Sequence, residues 1–204
     1  MIGLAGSHRV GKSTLAVAYA HFAKAEFIET KTAQVFERLG LDPKLDYSFA
    51  ERIAIQNHIL TDAINLYKGC KGNSITDRTP MDMLAYTMAD VQRENMNLND
   101  MVAFADYADR CYTVTNRYFS SIVVVQPGIP LIEAPGKAPA NKAYVEHIAT
   151  LVMGLVVDDR LKVGRHYIGR HNLELNSRVR SVVGAMNSIV KRHTDQMGAG
   201  ERFH

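Results

Sequence analysis

Cysteine is scarce: there are 2 in 204 residues, Cys70 and Cys111, far apart and in no metal-ligand spacing. That excludes a disulfide-stapled scaffold. Two buried free thiols in a reducing compartment are expected, one disulfide being the formal alternative. Long hydrophobic runs are missing too. The longest nearly apolar stretch, residues 149–157, is far short of the ~20 residues that a membrane-spanning helix needs. Strong net charge is absent: the formal charge is +3 and the pI about 8.8. This suits an anionic substrate but is too weak alone to argue for nucleic acid. There is no internal repeat, no low-complexity block and no linker that would divide the chain. No basic stretch precedes an apolar run at the amino end, so no secretory signal is expected. One soluble intracellular domain over residues 1–204 is the expectation.

What is present suits a globular chain. Hydrophobic residues make up 47% and charged residues 22%, enough for a sizeable core and too ordinary for wholesale disorder. Residues 2–5 read as a buried strand ending at a glycine-rich turn, and 12–24 as a helix rich in alanine and leucine. Further strands are expected at 26–30, 73–76, 121–126 and 165–168. Further helices are expected at 33–39, 48–67, 79–94, 100–118, 144–157 and 174–191. In 48–67, Phe49, Ile53, Leu60, Ile64 and Tyr67 recur at helical steps, and Ser48 with Glu51 forms a capping box. Thr79-Pro80 starts the next helix with an N-cap and a proline at its first position. Residues 130–142, with three prolines, read as a loop and 197–204 as a frayed tail. Strands alternating with helices imply a parallel sheet covered on both faces.

Residues 6–13, GSHRVGKS, match G-x-x-x-x-G-K-[ST] in full, the Walker A pattern. Gly6 and Gly11 let the backbone turn sharply and approach an anion. His8, Arg9 and Val10 fill free positions between them. Successive N–H groups then form a nest, backed by the positive end of the helix that starts with Lys12, Ser13 and Thr14. Lys12 supplies a cation for the β- and γ-phosphates, and the Ser13 hydroxyl suits Mg²⁺. A pattern with so few fixed positions also arises by chance. Here it lies between an expected strand and an expected helix, the context that phosphate binding requires.

A second constellation is ITDRTPMDMLAY, residues 75–86. Asp77 and Arg78 fall at the carboxyl end of a strand, where ligands of parallel sheets bind. A carboxylate there can hold Mg²⁺ or take a proton from an attacking hydroxyl, and a guanidinium can clamp a phosphate. Asp82 either reaches the acceptor or only completes a capping box with Thr79. Tyr86 follows one turn later on the same face. On the helix 48–67, Phe49, Arg52 and Gln56 border the apolar stripe and offer a ring, a guanidinium and an amide to an acceptor; a solvated boundary is the plainer alternative. Glu29 ends the second strand, placed to meet a sugar hydroxyl, to act as base, or simply to face solvent.

Together, GSHRVGKST, the glutamate ending strand two, SFAERIAIQ and ITDRTPMDMLAY resemble the P-loop nucleoside and nucleotide kinases. The branch that they resemble is the AAA-type ATP-binding proteins similar to nicotinamide riboside kinase domains and to phage (deoxy)nucleoside monophosphate kinases. The resemblance covers residues 1 to roughly 170. It implies an α/β fold, a P-loop three-layer α/β/α sandwich with a five-stranded parallel sheet in the order 2-3-1-4-5. It implies ATP and Mg²⁺ as cofactors, with Gly6, His8, Arg9, Val10, Gly11, Lys12, Ser13 and Thr14 around the donor and Ser13 and Asp77 at the metal. Lys12, Asp77 and Arg78 would be catalytic, and Glu29, Phe49, Arg52, Gln56, Arg78 and Asp82 would bind the acceptor. Relatives place arginines in a lid after strand four. Residues 128–142 of this chain hold Lys137 and Lys142 but no arginine. Those lysines are expected in that role, with Arg160 or Arg165 reaching in as the alternative.

The expected function is therefore that of an ATP- and Mg²⁺-dependent phosphotransferase acting on a nucleotide, a deoxynucleoside monophosphate kinase. Arg52 and Arg78 are more cations than a bare hydroxyl needs. A nucleoside kinase is the next alternative. A kinase acting on a modified base in phage DNA is another, with Arg160, Lys162, Arg165, Arg170, Arg178 and Arg180 as a backbone-binding surface. A non-kinase NTPase is the last, and the short strand ending in Asp-Arg speaks against it. Expected partners are a small-molecule nucleotide or nucleoside, no membrane, and a second copy through the helices at 80–94 and 100–118. The expected location is the cytoplasm, that of a host if the chain is phage-encoded.

Overall fold

The computed structural model describes residues 1–43, 45–70, 72–91, 96–133 and 140–200, with side chains to 191. Four β-branched residues follow Ser121, and strand β4 (Ser121–Val125) is buried throughout. Its side chains alternate across the sheet. Ile122 and Val124 enter one core cluster, Val123 and Val125 the other. Strand β1 (Ile2–Ala5) divides in the same way, Ile2 and Leu4 on one side and Ala5 on the other. With β2 (Glu26–Ile28), β3 (Ser74–Thr76) and β5 (Gly164–Ile168) they form a five-stranded sheet, order β2-β3-β1-β4-β5, with every pair parallel. This is the expected order.

Both faces are covered, as a sheet of near-continuous apolar strands requires. Helices α1 (Lys12–Ala23) and α7 (Leu175–Gly200) bury Leu15, Tyr19, Val182 and Ile189 on one face. The other face carries α2 (Thr32–Leu39), α3 (Phe49–Gly69), α4 (Pro80–Ala89), α5 (Leu98–Tyr118) and α6 (Lys142–Val157).

Capping chemistry sets the helix starts. Ser48 with Glu51, Thr79 with Asp82 and Asn97 with Asp100 each form a complete capping box. The pattern of apolar residues starts α5 at Asp100; the helix begins at Leu98 because Asn97 caps it. Likewise α6 begins at Lys142, capped by Asn141, whose side chain accepts the Tyr144 N–H at 3.0 Å. Helix α4 stops at Ala89, short of the expected 94, and residues 92–95 lie outside the described ones. Residues 197–200, expected to be frayed, continue α7. Cys111 is buried as expected, Cys70 only half-buried, and both are free thiols. No helix among the described residues is long and apolar enough to cross a membrane. Ser48→Ala should lower the unfolding free energy by about 1 kcal/mol, read by denaturant titration.

Sheet register positions the site. Gly3 pairs with Thr76, and Ile28 also pairs with Thr76. The chain therefore leaves β1 toward Gly6, β2 toward Glu29 and β3 toward Asp77 at one carboxyl edge, where parallel sheets bind ligands.

Candidate active site

The turn after β1 needs its glycines. Gly6 has φ 148°, and a Cβ there would stand 2.5 Å from the Val125 carbonyl oxygen. Arg9 at φ 61° and Gly11 at φ 82° are left-handed, alternating with ordinary residues as in a backbone nest for an anion. Lys12 is the first residue of α1. Its Nζ donates to the carbonyls of Gly6 at 2.6 Å and Ser7 at 2.7 Å. Burial lowers its pKa to about 8, with Asp82 and Asp77 opposing and Arg78 assisting. The charges of both sequence motifs thus lie within reach of one another.

That lowered pKa has a sign. Between about 8 and the ordinary 10.5 the folded chain binds fewer protons than the unfolded one, so the cost of holding Lys12 charged is present below pH 8 and is relieved as pH rises. Phosphate favours the charged form. Nucleotide binding at pH 8.5 should therefore take up protons, and at pH 6.5 it should not. Calorimetry in two buffers of different ionisation enthalpy reads this directly.

The Ser13 hydroxyl donates to the Asp77 carboxylate. Among the described residues no cluster of three His, Cys, Asp or Glu side chains forms a closed metal site. A hydroxyl and a carboxylate beside a phosphate nest are the hard oxygen donors that suit Mg²⁺ held together with phosphates. The residues present fit both ATP and Mg²⁺.

Asp82 corrects an expectation. It is 1% exposed and its oxygens are occupied. Oδ1 accepts the Gly6 N–H at 2.6 Å; Oδ2 accepts the Thr79 N–H at 2.8 Å and the Thr79 hydroxyl at 3.0 Å. It bolts the start of α4 to the phosphate loop and does not face an acceptor. Burial raises its pKa, against Lys12 and its N–H donors. One turn on, the Tyr86 hydroxyl accepts the His8 N–H at 2.9 Å and lies 3.1 Å from His8 Nδ1. Burial pushes the Tyr86 pKa up to about 12.

Tyr86 also lines a cavity of about 410 Å³, with His8, Gln56, Arg78, Met83 and Tyr144 among its walls. The Arg78 guanidinium lies 5.6 Å from the Tyr86 ring centroid. It makes no ion pair among the described residues. Arg52 is committed: it pairs with Asp90 at 3.6 Å and Asp46 at 3.5 Å, and donates to the Tyr47 carbonyl at 3.0 Å. Asp90 and Arg52 both border the cavity. Phe49, expected beside Gln56, is separated from it. Its ring lies tilted against that of Phe104, and it lines a neighbouring cavity of about 590 Å³ with Asp46, Asn97 and Asp100. The aromatic walls beside Gln56 are Tyr86 and Tyr144.

A further cavity of about 540 Å³ is lined by Arg9, Val10, Ile129, Lys142, Glu146 and Arg170. Arg170 holds Glu146 through two hydrogen bonds of 2.7 and 2.6 Å. Arg9 donates to the Ile132 carbonyl and pairs with Glu133 at 3.6 Å, joining the phosphate loop to the segment after β4. Lys142 is at this cavity; Lys137 lies outside the described residues.

Arg160 and Arg165 do not reach the site. Arg160 is held by Asp158 and Asp109 over the Tyr112 ring, and Arg165 by the carbonyls of Val157, Asp158 and Leu161, at the amino end of β5. Arg170 and Arg178 are also held internally, which leaves Lys162 and Arg180 of the six basic residues considered as a nucleic-acid surface. Glu29 is exposed just beyond β2 and lines none of the described cavities. Thr14 is exposed on the first turn of α1. Asp90 and Tyr144, which the sequence analysis does not single out, line the 410 Å³ cavity, and Arg170, considered there only for a nucleic-acid surface, lines the 540 Å³ one.

No family model and no curated protein sequence matches this chain. Solved structures do. Deoxyadenosine kinase from M. mycoides, with the products dCMP and a flexible dCDP bound, superposes with a TM-score of 0.65 at 16% identity, over 92% of this chain and 98% of that one. The same enzyme with dATP gives 0.65 at 15% identity, over 91% and 98%. The YorR protein of Bacillus subtilis, in complex with phosphorylated GDP, gives 0.52 at 12% identity, over 94% and 97%. This chain has the P-loop kinase fold. In that fold the loop 6–13 ends the central strand β1, and the Asp77–Arg78 pair ends its neighbour β3.

Proposed function

We propose that this chain is an ATP- and Mg²⁺-dependent kinase that phosphorylates a hydroxyl of a nucleoside or deoxynucleoside. One observation carries the reading. His8 belongs both to the phosphate loop and to the wall of the aromatic cavity, so an acceptor in that cavity meets the donor's phosphate end beside Asp77 and Arg78. The cavity's chemistry suits a nucleobase: Tyr86 and Tyr144 offer ring faces, Gln56 an amide, and the Arg52–Asp90 pair a donor and an acceptor. The M. mycoides deoxyadenosine kinase, which shares the fold, is a deoxynucleoside kinase by its name.

The sequence favours a monophosphate acceptor because two arginines stand near it. With Arg52 held by Asp46 and Asp90, Arg78 alone remains for an acceptor phosphate, which suits a bare hydroxyl better. A deoxynucleoside monophosphate remains the second reading, on the strength of Arg78.

In the proposed mechanism the loop N–H groups and Lys12 neutralise the β- and γ-phosphates. Ser13 and Asp77 would hold Mg²⁺, which would supply further neutralisation of phosphate charge. Asp77 receives the acceptor's proton, and Arg78 stabilises charge on the transferring group. Tyr86 and Tyr144 hold the acceptor base so that its hydroxyl faces the loop. Transfer of label from γ-labelled ATP to a panel of nucleosides, nucleoside monophosphates, nicotinamide riboside and oligonucleotides tests this. Labelled nucleoside monophosphate is expected. Labelled diphosphate formed from a monophosphate would favour the second reading, and labelled oligonucleotide would replace both.

A further inference from the structure

Arg178, in the first turn of α7, is 3% exposed. No carboxylate pairs with it among the described residues. Its Nε donates to the Asn172 carbonyl at 2.6 Å, and its Nη1 to the Val10 carbonyl at 2.9 Å. Its Nη2 is buried with no hydrogen-bond partner. Burial lowers its pKa, and no nearby acid opposes the shift. A buried cation without a partner is costly and persists where something else compensates it.

Its position suggests what that is. A Cβ on Gly11 would stand 3.3 Å from Arg178 Nη1. Gly11 directly precedes Lys12, so the guanidinium lies against the last turn of the phosphate loop. Asn172 belongs to the β5–α7 connection, which also carries Arg170 on the wall of the 540 Å³ cavity beside Arg9 and Val10. One side chain therefore grips the carbonyls of both segments around the donor side of the site. Lys12, another cation at this loop, likewise donates to carbonyls among the described residues.

We infer that Arg178 is a positioning residue for the donor nucleotide: it locks the phosphate loop to the β5–α7 connection, and its unbalanced charge is satisfied by the bound polyphosphate. This rests on the reading that the loop binds a nucleoside triphosphate. A merely structural arginine would stabilise the fold and leave nucleotide affinity unchanged. A positioning arginine separates the two.

The test compares wild type, Arg178→Gln and Arg178→Lys, with Mg²⁺–ADP as the probe. Arg178→Gln should weaken ADP binding about tenfold or more, the scale of one charge-assisted contact. It should raise the KM for ATP more than it lowers kcat, and shrink the ADP-induced rise in Tm while the nucleotide-free Tm holds or increases. Arg178→Lys restores the charge but cannot span both carbonyls. It should bind ADP better than Arg178→Gln and worse than wild type, and it decides the matter if Arg178→Gln is insoluble. A lower nucleotide-free Tm with wild-type ADP affinity in either variant overturns the inference alone. Failure of wild type to bind ADP overturns the donor reading, and this inference with it.

Discussion

Lys12→Ala should remove phosphoryl transfer, lowering kcat/KM for ATP by about 10²–10³-fold or more, while the protein stays folded. The size follows from deleting one preorganised charge aimed at the transferring phosphates. Retention of the fold follows from the side chain's surroundings. Among the described residues its hydrogen bonds go to the Gly6 and Ser7 carbonyls, and burial has pushed its pKa to about 8 from 10.5. A shift of that size corresponds to a cost of roughly 3 kcal/mol for holding the charged form at neutral pH. Losing a cation held at a cost does not unfold a protein. Lys12 also offsets the charge of the buried Asp82, so the two effects oppose and the nucleotide-free Tm at pH 7 should change little, while the ADP-induced stabilisation should vanish. Half of wild-type turnover in this variant would rule out the loop as the donor site.

The second large effect is expected at Asp77. Asp77→Asn keeps the shape and still accepts the Ser13 hydroxyl, so the local geometry survives. It removes the negative charge that would receive a proton and help hold Mg²⁺. Turnover should fall by about 10²–10³-fold, the range for loss of a general base. ATP affinity should change far less, because the nest and Lys12 remain. Equal losses in kcat and in ATP affinity would instead make Asp77 a donor-binding residue. Full activity would end its catalytic assignment.

Local patterns made the fold legible. A β-branched run, a Walker A turn between a strand and a helix, and two capping boxes are short-range signals, and each names its own element. The position of Asp77–Arg78 at the carboxyl edge of the sheet was legible for the same reason, because a short strand directly precedes it. Asp82 shows the limit. Its capping role lies in a four-residue window, but its bond to Gly6, 76 positions away, lies in none. Helix phase carried one more signal that could have been followed: Asp82, Tyr86 and Asp90 recur at four-residue steps, and the last two border the 410 Å³ cavity.

Phe49 and Gln56 are seven apart on α3, two turns, so a shared face does not mean a shared cavity. An ion pair between Arg52 and Asp90 stands at the border of both. Tyr144 arrives from α6, beyond the reach of any pattern around residues 48–86. In the sequence Arg178 is one of six basic residues of a candidate backbone-binding surface. In the fold it is buried against Val10 and Gly11 of the loop, some 168 positions away in the chain. Long-range burial, not local propensity, is what the sequence withheld.

The central claim is that donor and acceptor share one site across His8. A single-turnover experiment, with enzyme in excess over γ-labelled ATP and with or without a saturating deoxynucleoside, tests it most directly. The account predicts label passing to the nucleoside monophosphate in one exponential phase, with little inorganic phosphate and almost no reaction when the acceptor is omitted. Label released as inorganic phosphate at the same rate with and without the acceptor would contradict it.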